Sequence, residues 1–274
     1  VETIGSTLVL QNPAYNVVTL RERNLNYQFQ VAEWLWIMFG RNDVRTIAPY
    51  NGNIRQFSDD GMHFFGAYGP KVVEQLQYVV RTLQNDRDSR QAVINLWRER
   101  PAGTRDIPCT LSMQFLIRHD LLHCVVTMRS NDLWLGFPYD VFTFTQIQRY
   151  LAVMLAVGLG SYTHNVGSLH LYEEHYEKAQ AVAELCNPIW LIPEGFASPP
   201  LSSMPPWMET FFLGITSQDP AIMQDIIYTW ERDKEHDYNV WLDYLKVLAF
   251  RFHKRVEDLP ALYRGLYHER QRSE

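Results

Sequence analysis

The sequence predicts an α+β fold with a helical C-terminal addition, and three observations carry that expectation. Segments of apolar period three to four flank a central block in which apolar and polar residues alternate strictly. A proline-dense stretch then separates this block from a second helical region. No repeat or low-complexity tract interrupts the chain.

From Asn24 to Gly40, Leu25, Phe29, Ala32, Trp36 and Phe39 recur at helical spacing, which predicts one buried helix ending at a glycine, with Glu33 enclosed among apolar neighbours. Residues 41–70 are rich in Asn, Asp, Gly and Pro and read as loop. Val72 to Gln84 has helical spacing again, broken by Asn85-Asp86-Arg87-Asp88. Gln91 to Trp97 reads as a strand that leads to a turn at Pro101-Ala102-Gly103. Leu111, Met113, Phe115 and Ile117 then alternate with polar partners. After the short His119-Asp120 turn, Leu122, Cys124, Val126 and Met128 do the same, which predicts an antiparallel hairpin. Val141 to Val157 is apolar around most of its circumference and reads as a central helix. His164 to His170 reads as a strand and Leu171 to Cys186 as a helix. Asn187 to Pro206 holds six of the fourteen prolines, and beyond it Pro220 to His253 and Leu259 to Arg272 look helical. The expected division is a catalytic region over residues 1–200 and an extension over 201–274. In the extension Trp230, Trp241, Tyr244, Leu248 and Phe252 recur at spacing that suits packing better than partner binding.

A chain of 274 residues that is 46% hydrophobic and 20% charged can bury a sizeable core, so global disorder is excluded. Its longest apolar runs, such as Leu151 to Leu159 with the Gly158 break, fall far below the roughly 20 residues of a membrane span. The net charge of −6 argues against a surface that coats nucleic acid but leaves room for an arginine-lined anion pocket. Cys109, Cys124 and Cys186 are widely spaced and follow no signal-like start, so a reducing, cytoplasmic setting is expected. The chain opens at Val1 without methionine, and loss of a native N-terminal piece is the matching expectation. His164, His170 and His175 lack zinc spacing, no HExxH occurs, and no glycine-rich phosphate loop is present, so no metal is expected.

Polar clusters remain where the strands end: Asp106 to Thr110, Met128 to Asp132, Leu135 to Asp140 and Asn165 to Tyr172. Singly, each has a plain reading as a core cysteine, a loop-tying ion pair or a satisfied histidine. In order and together with Ala32-Glu33-Trp34-Leu35-Trp36, Gly66-Ala67-Tyr68-Gly69 and Asp88-Ser89-Arg90, they resemble the thymidylate synthase family over about Tyr15 to Ala179. The blocks that carry the likeness include Pro108-Cys109, Arg129-Ser130-Asn131-Asp132, Leu135-Gly136-Phe137-Pro138 and Gly167-Ser168-Leu169-His170-Leu171-Tyr172.

The resemblance implies a mixed sheet packed with helices, a homodimer, and 5,10-methylenetetrahydrofolate as one-carbon donor. Cys109 would attack C6 of a pyrimidine nucleotide as a thiolate, its pKa lowered by arginines near the phosphate, while Cys124 and Cys186 default to core. Tyr68 and Glu33 would complete the catalytic set, with Glu33 as general base. Arg129 and Ser130 would bind phosphate, joined by Arg90 of a neighbouring subunit through bidentate pairing. Asn131, Asp132, Gly136, His170 and Tyr172 would contact the rest of the nucleotide, the last two at the ribose 3′-hydroxyl. Asp132, Leu135, Gly136 and Tyr139 would face folate. Two features depart from the family: Gln91 replaces an arginine beside Arg90, and no phosphate-loop arginine precedes Tyr15.

Asp140 stands where thymidylate synthases carry the asparagine that reads uracil. A carboxyl suits cytosine, accepting from N4 and, when protonated, donating to N3. A carboxylate facing uracil O4 would oppose two acceptors at about 1 to 3 kcal/mol. Thr110 after the nucleophile and the Asn165 to His170 segment resemble the cytidylate hydroxymethylase branch. No tryptophan lies between Asn42 and Tyr68 to shield the C5 methylene, only Phe57, Phe64, Phe65 and Tyr50 as large aromatics, so water access is expected. The expected activity is therefore transfer of a hydroxymethyl group to C5 of CMP or dCMP, with no membrane or obligatory nucleic-acid partner. The rivals are reductive methylation by a thymidylate synthase or cytidylate methyltransferase, and a non-catalytic nucleotide- or RNA-binding relative.

Overall fold

The computed structural model describes residues 1–98 and 103–185, together with residues 228, 243, 244, 246–250, 259, 263 and 264. Five strands form one sheet in the order β1-β5-β4-β3-β2. They are β1 (Glu2–Leu10), β2 (Val93–Asn95), β3 (Thr110–Arg118), β4 (Leu121–Asp132) and β5 (Gly158–His170). β4 and β5 run parallel and every other pair antiparallel, so the sheet is mixed.

The β3–β4 hairpin follows from the sequence alternation: Met113, Phe115 and Ile117 face inward beside Leu122, Cys124 and Val126. Its turn is made by His119 and Asp120, both at positive φ (51° and 58°), the geometry that matches the twist of two-residue hairpins. A parallel β4–β5 pair needs a crossover, which α4 (Phe137–Met154) supplies. That helix begins four residues before the expected Val141 because Pro138 occupies its first turn, where a missing N–H costs nothing. Asp140 consequently lies inside the first turn of α4.

α1 (Tyr27–Met38) is buried at every residue but Glu33, which is partly buried. Helices apolar on all sides belong in a core. Asn26 caps its start, accepting from the Phe29 N–H. α1 packs against α4 and against α3 (Gly69–Asn85). Residues 41–70 are less irregular than expected, containing α2 (Val44–Ile47) and a 3₁₀ turn over Gly52–Phe57. α5 (Tyr176–Ala183), preceded by a 3₁₀ turn, replaces the longer helix expected to Cys186, a residue outside those described.

Two strands differ from expectation. β1 is an element the sequence reading does not include: Gly5 interrupts its β-branched residues, and the strand is held by pairing with β5. β5 starts at Gly158 rather than His164, because β4 pairs with it from Gly158 onward and β1 joins on the other side from Tyr162. In the C-terminal part, Tyr244, Val247, Leu248, Ala249, Leu259 and Tyr263 are buried in the same core as α1. Tyr244 packs on Trp34 with ring centroids 4.8 Å apart, and Tyr263 packs edge-on to Tyr27 at 5.5 Å. Trp230, Trp241 and Phe252 lie outside the described residues. No helix among the described residues is long and apolar enough to cross a membrane.

Candidate active site

One end of the sheet gathers the polar residues singled out in the sequence. Cys109 immediately precedes β3, Arg129 to Asp132 close β4, and His170 closes β5. In the parallel register Ser130 lies opposite Ser168 and Asp132 opposite His170, so the two strands end together. Glu33 enters from α1, Asp140 from α4 and Tyr68 from the N-cap of α3.

Arg129 locks the segment that carries the cysteine. Its Nε donates to the Pro108 carbonyl at 2.9 Å, and its Nη2 donates to the Ile107 carbonyl at 3.0 Å and to Cys109 Sγ at 3.4 Å. The exposed Nη1 has no partner among the described residues and can meet an anion. Cys109 is partly buried, and its thiol pKa is raised, not lowered as expected. Burial is the largest cause. Arg129 favours the thiolate, but the carboxyls of Asp140 and Asp106 act with burial against it. Tyr68 stands on the other side: its hydroxyl accepts from the Thr110 backbone N–H at 3.2 Å and from Thr110 Oγ1 at 3.1 Å. Burial and the nearby Asp140 and Cys109 keep Tyr68 protonated.

The two carboxyls share a buried environment. The Glu33 pKa is pushed up to about 8, first by burial and then by Asp140. The Asp140 pKa is pushed up to about 7 by burial, against the hydrogen bond from Asn131 Nδ2 at 2.7 Å. Asp140 also sits at a helix N-terminus, which favours an anion by about 0.3 to 1 kcal/mol; desolvation outweighs it here. Near neutral pH this pair can therefore hold and release a proton, the property general acid–base work requires.

Asp132 organises the turn after β4. Its Oδ1 accepts the backbone N–H groups of Trp134 (2.7 Å) and Leu135 (2.6 Å), while its Oδ2 is buried with no partner among the described residues. An orphaned buried acceptor fits a pterin ring, which presents amide and amino donors. Leu135 is exposed beside it, and Tyr139 is fixed by accepting the Asn26 N–H at 3.0 Å. At Gly136 a Cβ would meet Asn131 Nδ2 at 2.9 Å, so this glycine makes room for the Asn131–Asp140 pair. His170 and Tyr172 pack edge-on with centroids 5.2 Å apart, and Tyr172 is exposed. Arg90 is exposed before β2, and no bond among the described residues links it to the Cys109 cluster. Among the described residues no metal-binding group of three His, Cys, Asp or Glu occurs.

Sequence reasoning missed several participants. Asp106 Oδ2 accepts the Gly66 N–H at 2.6 Å and so ties the Tyr68 loop to the cysteine segment. Arg23 stacks over Trp134 at 4.0 Å from the ring centroid, close enough to Asp132 and Tyr139 to feel their charge. His164 and Tyr162 lie behind Asn131. The period of two along β5 held the signal for these last two, which face inward like Val166. Of the four large aromatics between Asn42 and Tyr68, Tyr50 and Phe64 are in the core, Phe64 against Trp36, whereas Phe57 and Phe65 are exposed.

The thymidylate synthase family profile matches residues 6–186, about two thirds of the chain. The chain belongs to the thymidylate synthase family. It is 37% identical, over 61% of its length, to a deoxyuridylate hydroxymethyltransferase of Bacillus phage SP01, of which it covers 49%. It is 33% identical, over 80% of its length, to the deoxyuridylate hydroxymethyltransferase of Pseudomonas phage M6, of which it covers 68%. The chain thus spans about half of the SP01 relative. Among solved structures, thermostable thymidylate synthase A from Bacillus subtilis superposes with a TM-score of 0.58 at 26% identity, covering 67% of this chain and 70% of that one. Members of the family and its hydroxymethyltransferases take their one-carbon unit from 5,10-methylenetetrahydrofolate.

Proposed function

We propose that this protein transfers a hydroxymethyl group to C5 of a cytidylate, CMP or dCMP. What supports the reading is Asp140: a carboxyl whose pKa burial raises to about 7, close enough to Glu33 and Cys109 to act on both, and standing where the resemblance puts the family's base-reading asparagine. A carboxyl half-protonated near neutrality offers cytosine an acceptor for N4 and a donor for N3.

Asp132, Leu135, Gly136 and Tyr139 would hold 5,10-methylenetetrahydrofolate, which would supply carbon at the formaldehyde level. Cys109 adds to C6 as a thiolate and makes C5 nucleophilic; C5 would take the one-carbon unit and give up its hydrogen as a proton, tetrahydrofolate would leave, and Cys109 leaves C6 when the product forms. Glu33, as the carboxylate, takes a proton from the water whose oxygen adds to the C5 methylene and returns it to the departing Cys109 thiolate. Tyr68, held protonated, orders the Thr110 side of the cysteine. Arg129 Nη1 and Ser130 hold the phosphate together with Arg90 of a second subunit, and His170 and Tyr172 hold the ribose. Asn131 and Gly136 act through Asp140. The exposed Phe57 and Phe65 and the absence of tryptophan between Asn42 and Tyr68 support entry of water over reductive methylation.

A second reading, the same reaction on dUMP, is favoured by the names of the two phage relatives. Incubation with CMP, dCMP or dUMP plus 5,10-methylenetetrahydrofolate, followed by mass analysis, separates the readings. We expect a gain of CH2O on a cytidylate, with no dihydrofolate absorbance. A gain of CH2 would mean methylation, and product from dUMP alone would overturn the cytidylate reading. Asp140→Asn should move the preference toward dUMP.

A further inference from the structure

Behind Asp140 runs a line of three side chains, of which the base-reading role so far uses only Asn131. Asn131 Nδ2 donates to Asp140 Oδ2 at 2.7 Å, Asn131 Oδ1 faces His164 Nε2 at 3.1 Å, and His164 Nδ1 faces the Tyr162 hydroxyl at 2.6 Å. Asn131, His164 and Tyr162 are all buried, at 4%, 1% and 1% exposure. Phe137 packs edge-on against the imidazole with centroids 5.2 Å apart, and Gly136, by lacking a side chain, leaves the Asn131 amide its place, since a Cβ there would lie 2.9 Å from Nδ2.

The donor and acceptor inventory gives this line a direction. Oδ2 of Asp140 accepts, so Asn131 presents its N–H there and turns its carbonyl toward His164. That carbonyl needs a donor, which puts the imidazole hydrogen on Nε2. Burial holds the ring neutral, with its pKa down to about 4, so Nδ1 is bare and accepts the Tyr162 O–H.

We propose that Tyr162, His164 and Asn131 are positioning residues that hold Asp140 Oδ2 as the acceptor, so that the proton of the neutral carboxyl resides on Oδ1. The proposal rests on the reading that Asp140 faces the 3,4-edge of the pyrimidine, and it deepens that reading into a mechanism of selectivity. A neutral carboxyl alone is ambivalent: with its proton on either oxygen it can serve cytosine or uracil. With the proton fixed on one oxygen it has a fixed donor and a fixed acceptor. Cytosine and uracil present opposite pairs at N3 and position 4, so one of them matches only if the proton moves to Oδ2. That move would set an O–H against the Asn131 N–H and require amide, imidazole tautomer and tyrosine hydroxyl all to turn. Discrimination between the bases is thereby spread over four residues.

The test uses the full chain and measures the Kd of CMP, dCMP and dUMP by calorimetry, alongside the product assay. The quantity of interest is the ratio of dUMP to cytidylate Kd. His164→Phe removes the donor to Asn131 and should bring that ratio about tenfold closer to one, the worth of one strong hydrogen bond. Tyr162→Phe removes only the hydroxyl and should shift it about threefold. His164→Gln, which keeps an N–H for Asn131, should restore most of the selectivity. In an Asp140→Asn background His164→Phe should have no further effect on the ratio, since both act through one group. Folded His164→Phe and Tyr162→Phe proteins in which both nucleotides weaken equally would overturn the proposal, because a merely structural role moves affinity and not the ratio. Should His164→Phe not fold, Tyr162→Phe decides alone. If Asp140→Asn itself leaves the ratio unchanged, the base-reading assignment falls; if only the Tyr162 and His164 variants do, that assignment stands and the relay falls.

Discussion

The two ends of the central sheet are built from the same strands and cover the same core, yet they differ in chemistry. At one end β3 begins and β4 and β5 finish, and Cys109, Arg129, Asp132 and His170 converge. At the other, β3 and β4 meet in the His119–Asp120 turn, and its charged contacts are solvated pairs such as Arg87–Asp120 at 2.7 Å. The two described cysteines show what the difference does. Cys124 sits in mid-strand, fully buried, and burial alone drives its thiol far upward. Cys109 sits just outside a strand, partly exposed, with a guanidinium 3.4 Å away opposing the burial. Position relative to the strand end leaves Cys109 within reach of solvent and of a cation that favours its thiolate, and Cys124 with neither.

The sharpest way to break this contrast is to remove each sulfur nucleophile in turn. Cys109→Ser should lower turnover at least about a thousandfold, since a hydroxyl is a far weaker nucleophile at neutral pH. Cys124→Ser should leave turnover within about threefold and instead cost about 1 to 3 kcal/mol of stability by burying a new hydroxyl. Product formation and denaturant melts on both variants check the pair. A fully active Cys109→Ser protein would remove the cysteine from the chemistry.

The second contrast is in pH dependence. Glu33, at about 8, and Asp140, at about 7, keep their protons in the folded chain well above the pH at which an unfolded chain releases them. The native state therefore binds more protons between about pH 4.5 and 8, and stability falls as pH rises through that window. Glu33→Gln removes one of these protons from the balance. It should flatten the slope and, above pH 8, stabilise the protein relative to wild type by about 1 to 3 kcal/mol, a range discounted for the carboxyl's partial exposure. The same variant should lose hydroxymethyl formation. Chemical denaturation at pH 5, 7 and 9 checks the slope, and an unchanged one would place the titration elsewhere.

What was legible in the sequence follows the range of the forces involved. The α1 stripe from Leu25 to Phe39 and the β3–β4 alternation are local patterns, and both became the elements expected. Cys109, Glu33, Tyr68, Arg129, Asp132 and Asp140 were legible as motifs, although the direction of the Cys109 pKa was not. That direction depends first on burial, which only folding creates, and then on Asp140, which α4 brings up to the cysteine, with the nearby Asp106 adding to it. β1 was illegible because its order comes from β5, more than 150 residues away in the chain. The period of two along β5 carries a signal for Tyr162 and His164 facing inward, but their link to Asn131 is illegible, because His164 reaches it across the parallel β4–β5 junction.

The smallest effect tests the two ends with the same change, one methyl group on a glycine of β5. At Gly167 a Cβ would lie 2.8 Å from the Arg129 carbonyl oxygen, a backbone atom of β4 that cannot turn aside. Accommodating it requires a shift of a few tenths of an ångström in the strand that carries Arg129 and Ser130. Since the Arg129 backbone N–H also donates to the Cys109 carbonyl at 2.8 Å, that shift reaches the nucleophile. Gly167→Ala should therefore reduce kcat/KM about tenfold, as displaced catalytic groups do. At Gly158, at the hairpin end, the new Cβ would approach Leu121 Cδ2 at 2.6 Å, but that atom ends a 40%-exposed side chain that can rotate away. Gly158→Ala should leave kcat/KM within about twofold and change stability by no more than about 0.5 kcal/mol. Equal losses at both positions would mean that the strand transmits strain along its whole length, and that chemistry at the site end does not depend on local fit.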